Sequence, residues 1–114
     1  MRRDETYLLD ILIAARKALK FVEGIDRDKF EDNEIIQNAV IRPLEIIGEA
    51  SARVSKDFRK AHAEIPWQEM VGLRNRLIHE YFRIDFGAVW DTLHKDIPNL
   101  IEIIEPLVPK EDEI

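Results

Sequence analysis

The chain has 114 residues, 46% hydrophobic and 35% charged, with a formal net charge of −6 and no cysteine. This length supports one domain with a real core and not two, and the absence of cysteine excludes disulfides, thiolate metal sites and a cysteine nucleophile. The acidic balance argues against a general nucleic-acid coat protein, no apolar run approaches membrane-spanning length, and the charged start MRRDETYLLD offers no cleavable apolar segment, so the expected location is the cytoplasm.

Glycine is scarce, proline clusters at boundaries, and no segment alternates with period two for long, which predicts an all-α chain. The first helix is predicted from Asp4 to about Val22, with Leu8, Leu12, Ala15, Leu19 and Val22 as its core stripe. Leu9 and Ile13 widen the apolar surface to a second side, as burial against another subunit would require. Gly24 to Asp32 reads as a polar turn, with Gly24 as the helix stop. A second helix is predicted from Asn33 to Val54 on Ile36, Val40, Leu44 and Ile47, with a kink or frayed start at Pro43. Gly48, Ala50 and Ala52 form a smooth patch, most simply for tight packing of another helix. Asp57 to Glu64 is read as a connector with one short turn of helix at most. The last helix begins after Asp85 as N-cap, runs along Val89, Leu93, Ile97, Leu100, Ile104 and Leu107, bends at Pro98 and ends at Pro106 and Pro109. Residues 1–109 form one helical domain and 110–114 a short flexible acidic tail.

Between these lies Ile65 to Phe82, IPWQEMVGLRNRLIHEYF. A helix from about Trp67 puts Met70, Val71, Arg74, Leu77, Ile78 and Tyr81 on one face, with Asn75 and His79 along its edge, and sends Gly72, Arg76, Glu80 and Arg83 to the solvated side. A guanidinium, an amide, an imidazole and a phenol beside a buried stripe are costly to bury unpaired. Two readings stand. One is a buried polar network that fixes helix register; the other is a polar site that takes an anion at Arg74 and a proton at His79. Basic residues at Arg53, Lys56, Arg59 and Lys60, recurring at Arg74, Arg76 and Arg83, most simply mark a solvated face, which at least does not repel a phosphate.

The chemistry narrows further. His62, His79 and His94 lie on three segments with no metal-ligand spacing, and there is no glycine-rich phosphate loop or nucleophile elbow. A guanidinium holds two phosphate oxygens at once, and an imidazole takes and gives a proton near neutral pH. RNA carries its own nucleophile in the 2′-hydroxyl, so Arg plus His is a minimal metal-free kit for cleaving RNA. Internal attack needs both a base and an acid, which one histidine per chain does not supply; a twofold dimer does.

Arg74-x4-His79-x-Tyr81 within RNRLIHEY resembles the signature of the HepT-like toxins of the HEPN superfamily. The likeness extends to LEIIGEA at 44–50, IPW at 65–67 and IDFGAVWDTLHKDIPNL from Ile84. The resemblance implies an up-and-down bundle of four or five helices, a homodimer with the motifs facing a shared cleft, and a metal-independent ribonuclease acting as the toxin of a toxin-antitoxin pair. It implies that Arg74 and His79 are catalytic, that Asn75 supports them, and that Tyr81 accepts AMP from an MNT-type nucleotidyltransferase antitoxin, MntA-like. The ATP is used by that partner, so this chain itself needs no cofactor and no metal. The rival expectation is a non-catalytic HEPN dimer that binds nucleotide or RNA, or serves as the nucleotidyltransferase's partner subunit.

Overall fold

Leucine, isoleucine and alanine at helical spacing make α1, Asp4–Phe21, and bury Leu8, Ile11, Leu12, Ala14, Ala15 and Ala18. The structure is a computed structural model that describes residues 3–109, so the tail expected at 110–114 lies outside the described residues. Ile13 stands half exposed on the second apolar side of α1. Gly24, at φ 77, follows the end of α1 and takes the left-handed conformation that favours glycine.

The segment read as a polar turn contains a six-residue helix, α2, Arg27–Asp32. Asp26 caps it by accepting from the Lys29 N–H at 2.8 Å. Phe30, the one large apolar residue there, is fully buried between Phe86 and Trp90. The buried Gln37 side chain donates from Nε2 to the carbonyls of Phe30 and Glu31, both at 2.9 Å, and so satisfies the end of α2.

Helix α3, Glu34–Arg53, starts on the Asn33 cap and passes through the buried Pro43 without interruption. It packs along α1. Ser55 joins the two by donating from N and Oγ to the Asp4 carboxylate at 2.8 and 2.7 Å. The same hydroxyl accepts from the Phe58 N–H and caps α4, Lys56–Ala61, the short helical turn expected in the connector. Helix α5, Trp67–His79, packs on α3.

Asp85 caps the last helical run, accepting from the Ala88 N–H at 3.1 Å. This run consists of α6, Phe86–Asp91, a wider π segment, Thr92–Asp96, and α7, Ile97–Ile104, and it buries Val89, Leu93, Ile97, Leu100 and Ile104. Where a bend was expected at Pro98, the run carries that π segment just before it. Pro98 sits in the first turn of α7, where its missing N–H and bulky ring are accommodated by the widened turn before it. A 3-10 turn, Glu105–Leu107, contains Pro106 and follows α7, and Glu105 pairs with Arg16 of α1. The result is all-helical among the described residues: four long elements, α1, α3, α5 and the α6–α7 run, with α2 and α4 as short connections. No helix among them is long and apolar enough to cross a membrane.

Candidate active site on the fifth helix

Helix α5 begins directly after Pro66, and the Trp67 indole anchors its start by donating to the His62 carbonyl at 3.1 Å. Its buried residues are Trp67, Met70 and Leu77, with Leu73 and Arg74 half buried. The face expected from sequence is therefore turned. Ile78 and Tyr81 were placed on the buried stripe but stand 38% and 51% exposed, because the core side of α5 runs toward Leu73 instead.

The helix also ends earlier than the pattern of the motif suggests. Glu80 leaves helical geometry at φ −117 and ψ 37, and Tyr81–Arg83 forms a 3-10 turn. Tyr81 thus belongs to the turn and not to the helix. Its hydroxyl donates to Asn38 Oδ1 on α3 at 3.4 Å, at the long end of hydrogen bonding. Its ring meets the 96% exposed Phe82 edge-on at 5.2 Å.

Arg74 is positioned by the contact between α5 and α3. A Cβ placed on Gly48 would lie 2.1 Å from Arg74 Cβ and 2.8 Å from the Met70 carbonyl oxygen, so the arginine stem lies directly on the glycine. This is the tight packing expected of the Gly48 patch. The guanidinium then points along the surface, where Nη1 donates to Asn75 Oδ1 at 2.9 Å. Arg74 Nε is shut off from solvent without a partner, a costly state for a donor. His79 is exposed one turn beyond Asn75 on the same row of the helix. Neither a buried register-fixing network nor an enclosed pocket describes this arrangement. Within one chain, Arg74 is joined to Asn75 and Tyr81 to Asn38, while the His79 imidazole has no hydrogen-bond partner among the described residues.

The other imidazoles are occupied elsewhere. His62 stacks on Phe58 at 4.3 Å and approaches Glu64 at 3.4 Å. His94 stacks on Trp90 at 3.8 Å with Nδ1 2.9 Å from the Trp90 carbonyl oxygen, the helix-surface packing expected of it. Asn38 was not foreseen. It lies 43 residues from Tyr81 in the chain, and only the fold brings the two together.

Against this geometry, the family model for ribonuclease HepT-like proteins matches residues 11–107. A Methanocaldococcus jannaschii protein provisionally named an RNase is 46% identical over 105 residues, covering 91% of this chain and 96% of its own. A Caldanaerobacter subterraneus protein, also provisionally named an RNase, is 37% identical over 97% of this chain and 99% of its own. A Thermococcus cleftensis protein, named as a probable ribonuclease HepT, is 44% identical over 87% and 90% respectively. No solved structure gives a significant match.

Proposed function

This chain belongs to the HepT-like ribonuclease family of the HEPN superfamily, and from that premise we propose that it is a metal-independent endoribonuclease, the toxin of a toxin-antitoxin pair, silenced by AMP transfer to Tyr81. The observation that carries the reading is the state of Arg74. Its stem is pinned on Gly48, its Nη1 is oriented by Asn75, and its buried Nε lacks an acceptor. Among the described residues its Nη2 is neither hydrogen-bonded nor shut off from solvent and is the donor open to a phosphate oxygen, and a guanidinium fixed in advance is suited to charge that grows on a pentacovalent phosphorus.

In this reaction a base removes the proton of the 2′-hydroxyl, the 2′-oxygen attacks phosphorus, and the bond to the 5′-oxygen breaks as that oxygen receives a proton. The products are a 2′,3′-cyclic phosphate and a 5′-hydroxyl. His79 is the exposed imidazole one turn beyond Asn75, which holds the guanidinium, and His62 and His94 are stacked on other elements. Two proton-transfer roles and one available imidazole per chain require a second copy, so the working site is the cleft of a homodimer. The RNA lies across that cleft.

Tyr81 stands half exposed in the turn that closes α5, open to an MNT-type nucleotidyltransferase partner. Its phenolic oxygen attacks the α-phosphorus of ATP and releases pyrophosphate. The adenylate adds a bulky anion at the turn that closes α5, where it repels RNA phosphate and obstructs the cleft.

The test is cleavage of RNA in EDTA by wild-type chains, His79→Ala chains and mixed dimers of the two. His79→Ala is expected to cost roughly 10²–10⁴ in rate, with RNA binding retained. If the two imidazoles serve one cleft, the mixed dimer falls nearly as far; a mixed dimer at half the wild-type rate means that each chain is self-sufficient. Cleavage that survives in the His79→Ala homodimer, or that disappears in EDTA, rejects the mechanism. Incubation with the nucleotidyltransferase and ATP should add AMP mass to wild type and not to Tyr81→Phe.

A further inference from the structure

At the opposite end of α5 lies a basic surface that the reaction above does not use. Several arginines elsewhere are tied to carboxylates: Arg16 to Glu105, Arg27 to Glu31 and Asp91, and Arg42 to Glu45 and Glu49. Lys56, Arg59 and Lys60 on α4 have no ion-pair partner among the described residues. All three line an open cavity of about 730 Å³ whose other wall is the loop and first turn of α5, through Glu69. Glu64 and Glu69 share that lining, and Glu64 lies 3.4 Å from His62. Cations therefore outnumber carboxylates on this wall. Arg59 lines the cavity with its Nε shut off from solvent and without a partner, so its terminal nitrogens are the donors left to meet a ligand there.

The cavity is connected to the motif along the helix surface. Gln68, in its lining, is followed at i+4, i+7 and i+11 by Gly72, Asn75 and His79, which at 100° per residue stay within about 40° of one line. Midway along this row, a Cβ added at Gly72 would meet nothing within 4 Å. The row thus runs from the α4 cations to the imidazole over polar or absent side chains, a rise of roughly 16 Å for eleven residues.

We infer that the α4 cavity, through Lys56, Arg59 and Lys60, holds the sugar-phosphate backbone of the same RNA strand whose scissile phosphate lies at Arg74 and His79. The inference rests on the ribonuclease reading and adds a substrate class to it: RNA with a single-stranded extension on one side of the cut, long enough to span the row. Contacts of this kind position the strand without reading its bases. They are sensitive to salt, because each neutralised phosphate releases counterions.

The experiment compares a single-stranded 20-mer with a 4-mer of the same central sequence. Their binding is measured by fluorescence anisotropy on the non-cleaving His79→Ala dimer, at 50 and 200 mM salt, with and without the double substitution Lys56→Glu/Lys60→Glu. Arg59→Gln serves as a second, milder variant. Cleavage of both RNAs is measured in parallel with His79 intact. The inference expects Kd and KM for the 20-mer to rise at least tenfold at low salt with kcat kept, and the salt slope to fall by about 1.4 for two lost contacts. It expects no change for the 4-mer. Unchanged 20-mer binding, or an equal loss on both lengths, overturns it. Wild-type chains that cleave neither RNA overturn the ribonuclease reading instead, while the binding comparison still decides whether the cavity holds the strand.

Discussion

At Gly48 a single methyl group would land on the Arg74 stem and against the Met70 carbonyl oxygen, so α3 and α5 touch there because the residue has no side chain. Gly48→Ala must push the helices apart. The expected cost is about 1–3 kcal/mol, the usual range for overpacking, and because the displaced backbone carries Arg74, kcat falls together with Tm. Gly72→Ala is the control, since its Cβ enters open space and the gain in helix propensity of about 0.8–1 kcal/mol raises Tm. Calorimetry on the pair separates crowding from a general intolerance of alanine. Arg74→Ala itself should cost roughly 3 to 4 kcal/mol in the transition state, by analogy with other oxyanion donors, read as kcat on RNA that still binds. That Asn75 and His79 lie on one edge of α5 was legible from spacing, because residues one turn apart on a helix line up. Asn38 was not legible, since its bond to Tyr81 depends on where the turn after α5 meets α3.

The long helices were legible because each has room to repeat its apolar period, while α2 has six residues and one large apolar side chain, too few to show any. A helix this short has little stability alone. It is held by Phe30 under Phe86 and Trp90 and by the Gln37 side chain at its end. Phe30→Ala is expected to cost about 3–5 kcal/mol and to expose the α2 amides to hydrogen exchange before those of α1 or α3. If the α2 amides stay as protected as those of α3, the anchor lies elsewhere. The end of α5 was misread for a related reason. Tyr81 continues the apolar period of the helix on paper, but Glu80 breaks the backbone one residue earlier, and periodicity carries no signal of a break that lacks glycine or proline.

For the whole molecule, four of the six exposed large apolar residues among those described lie on α5, the turn after it and the start of α3. The other two, Ile13 and Phe21, are on α1. Phe82 is 96% exposed and Ile35 82%, and Ile78 and Tyr81 are 38% and 51% exposed. Ile35 is one turn before Asn38 on α3, which holds the Tyr81 hydroxyl, and the Tyr81 ring meets Phe82. A surface of this kind around a charged site is what a twofold contact needs, because each apolar residue is then buried twice. Burying a phenylalanine is worth about 1.5–3 kcal/mol, so losing Phe82 from both copies removes roughly 3–6 kcal/mol, or about 10²–10⁴ in the dimer dissociation constant. Phe82→Glu combined with Ile35→Glu should therefore yield monomers in sedimentation equilibrium at micromolar concentration. Because both side chains are exposed in the single chain, the monomer should keep its helical content, and because one chain offers one imidazole at this site, cleavage should vanish with the dimer. A double variant that stays dimeric would move the contact to another face, such as the exposed Ile13 side of α1. A monomer that still cleaves would show that one chain carries both proton transfers.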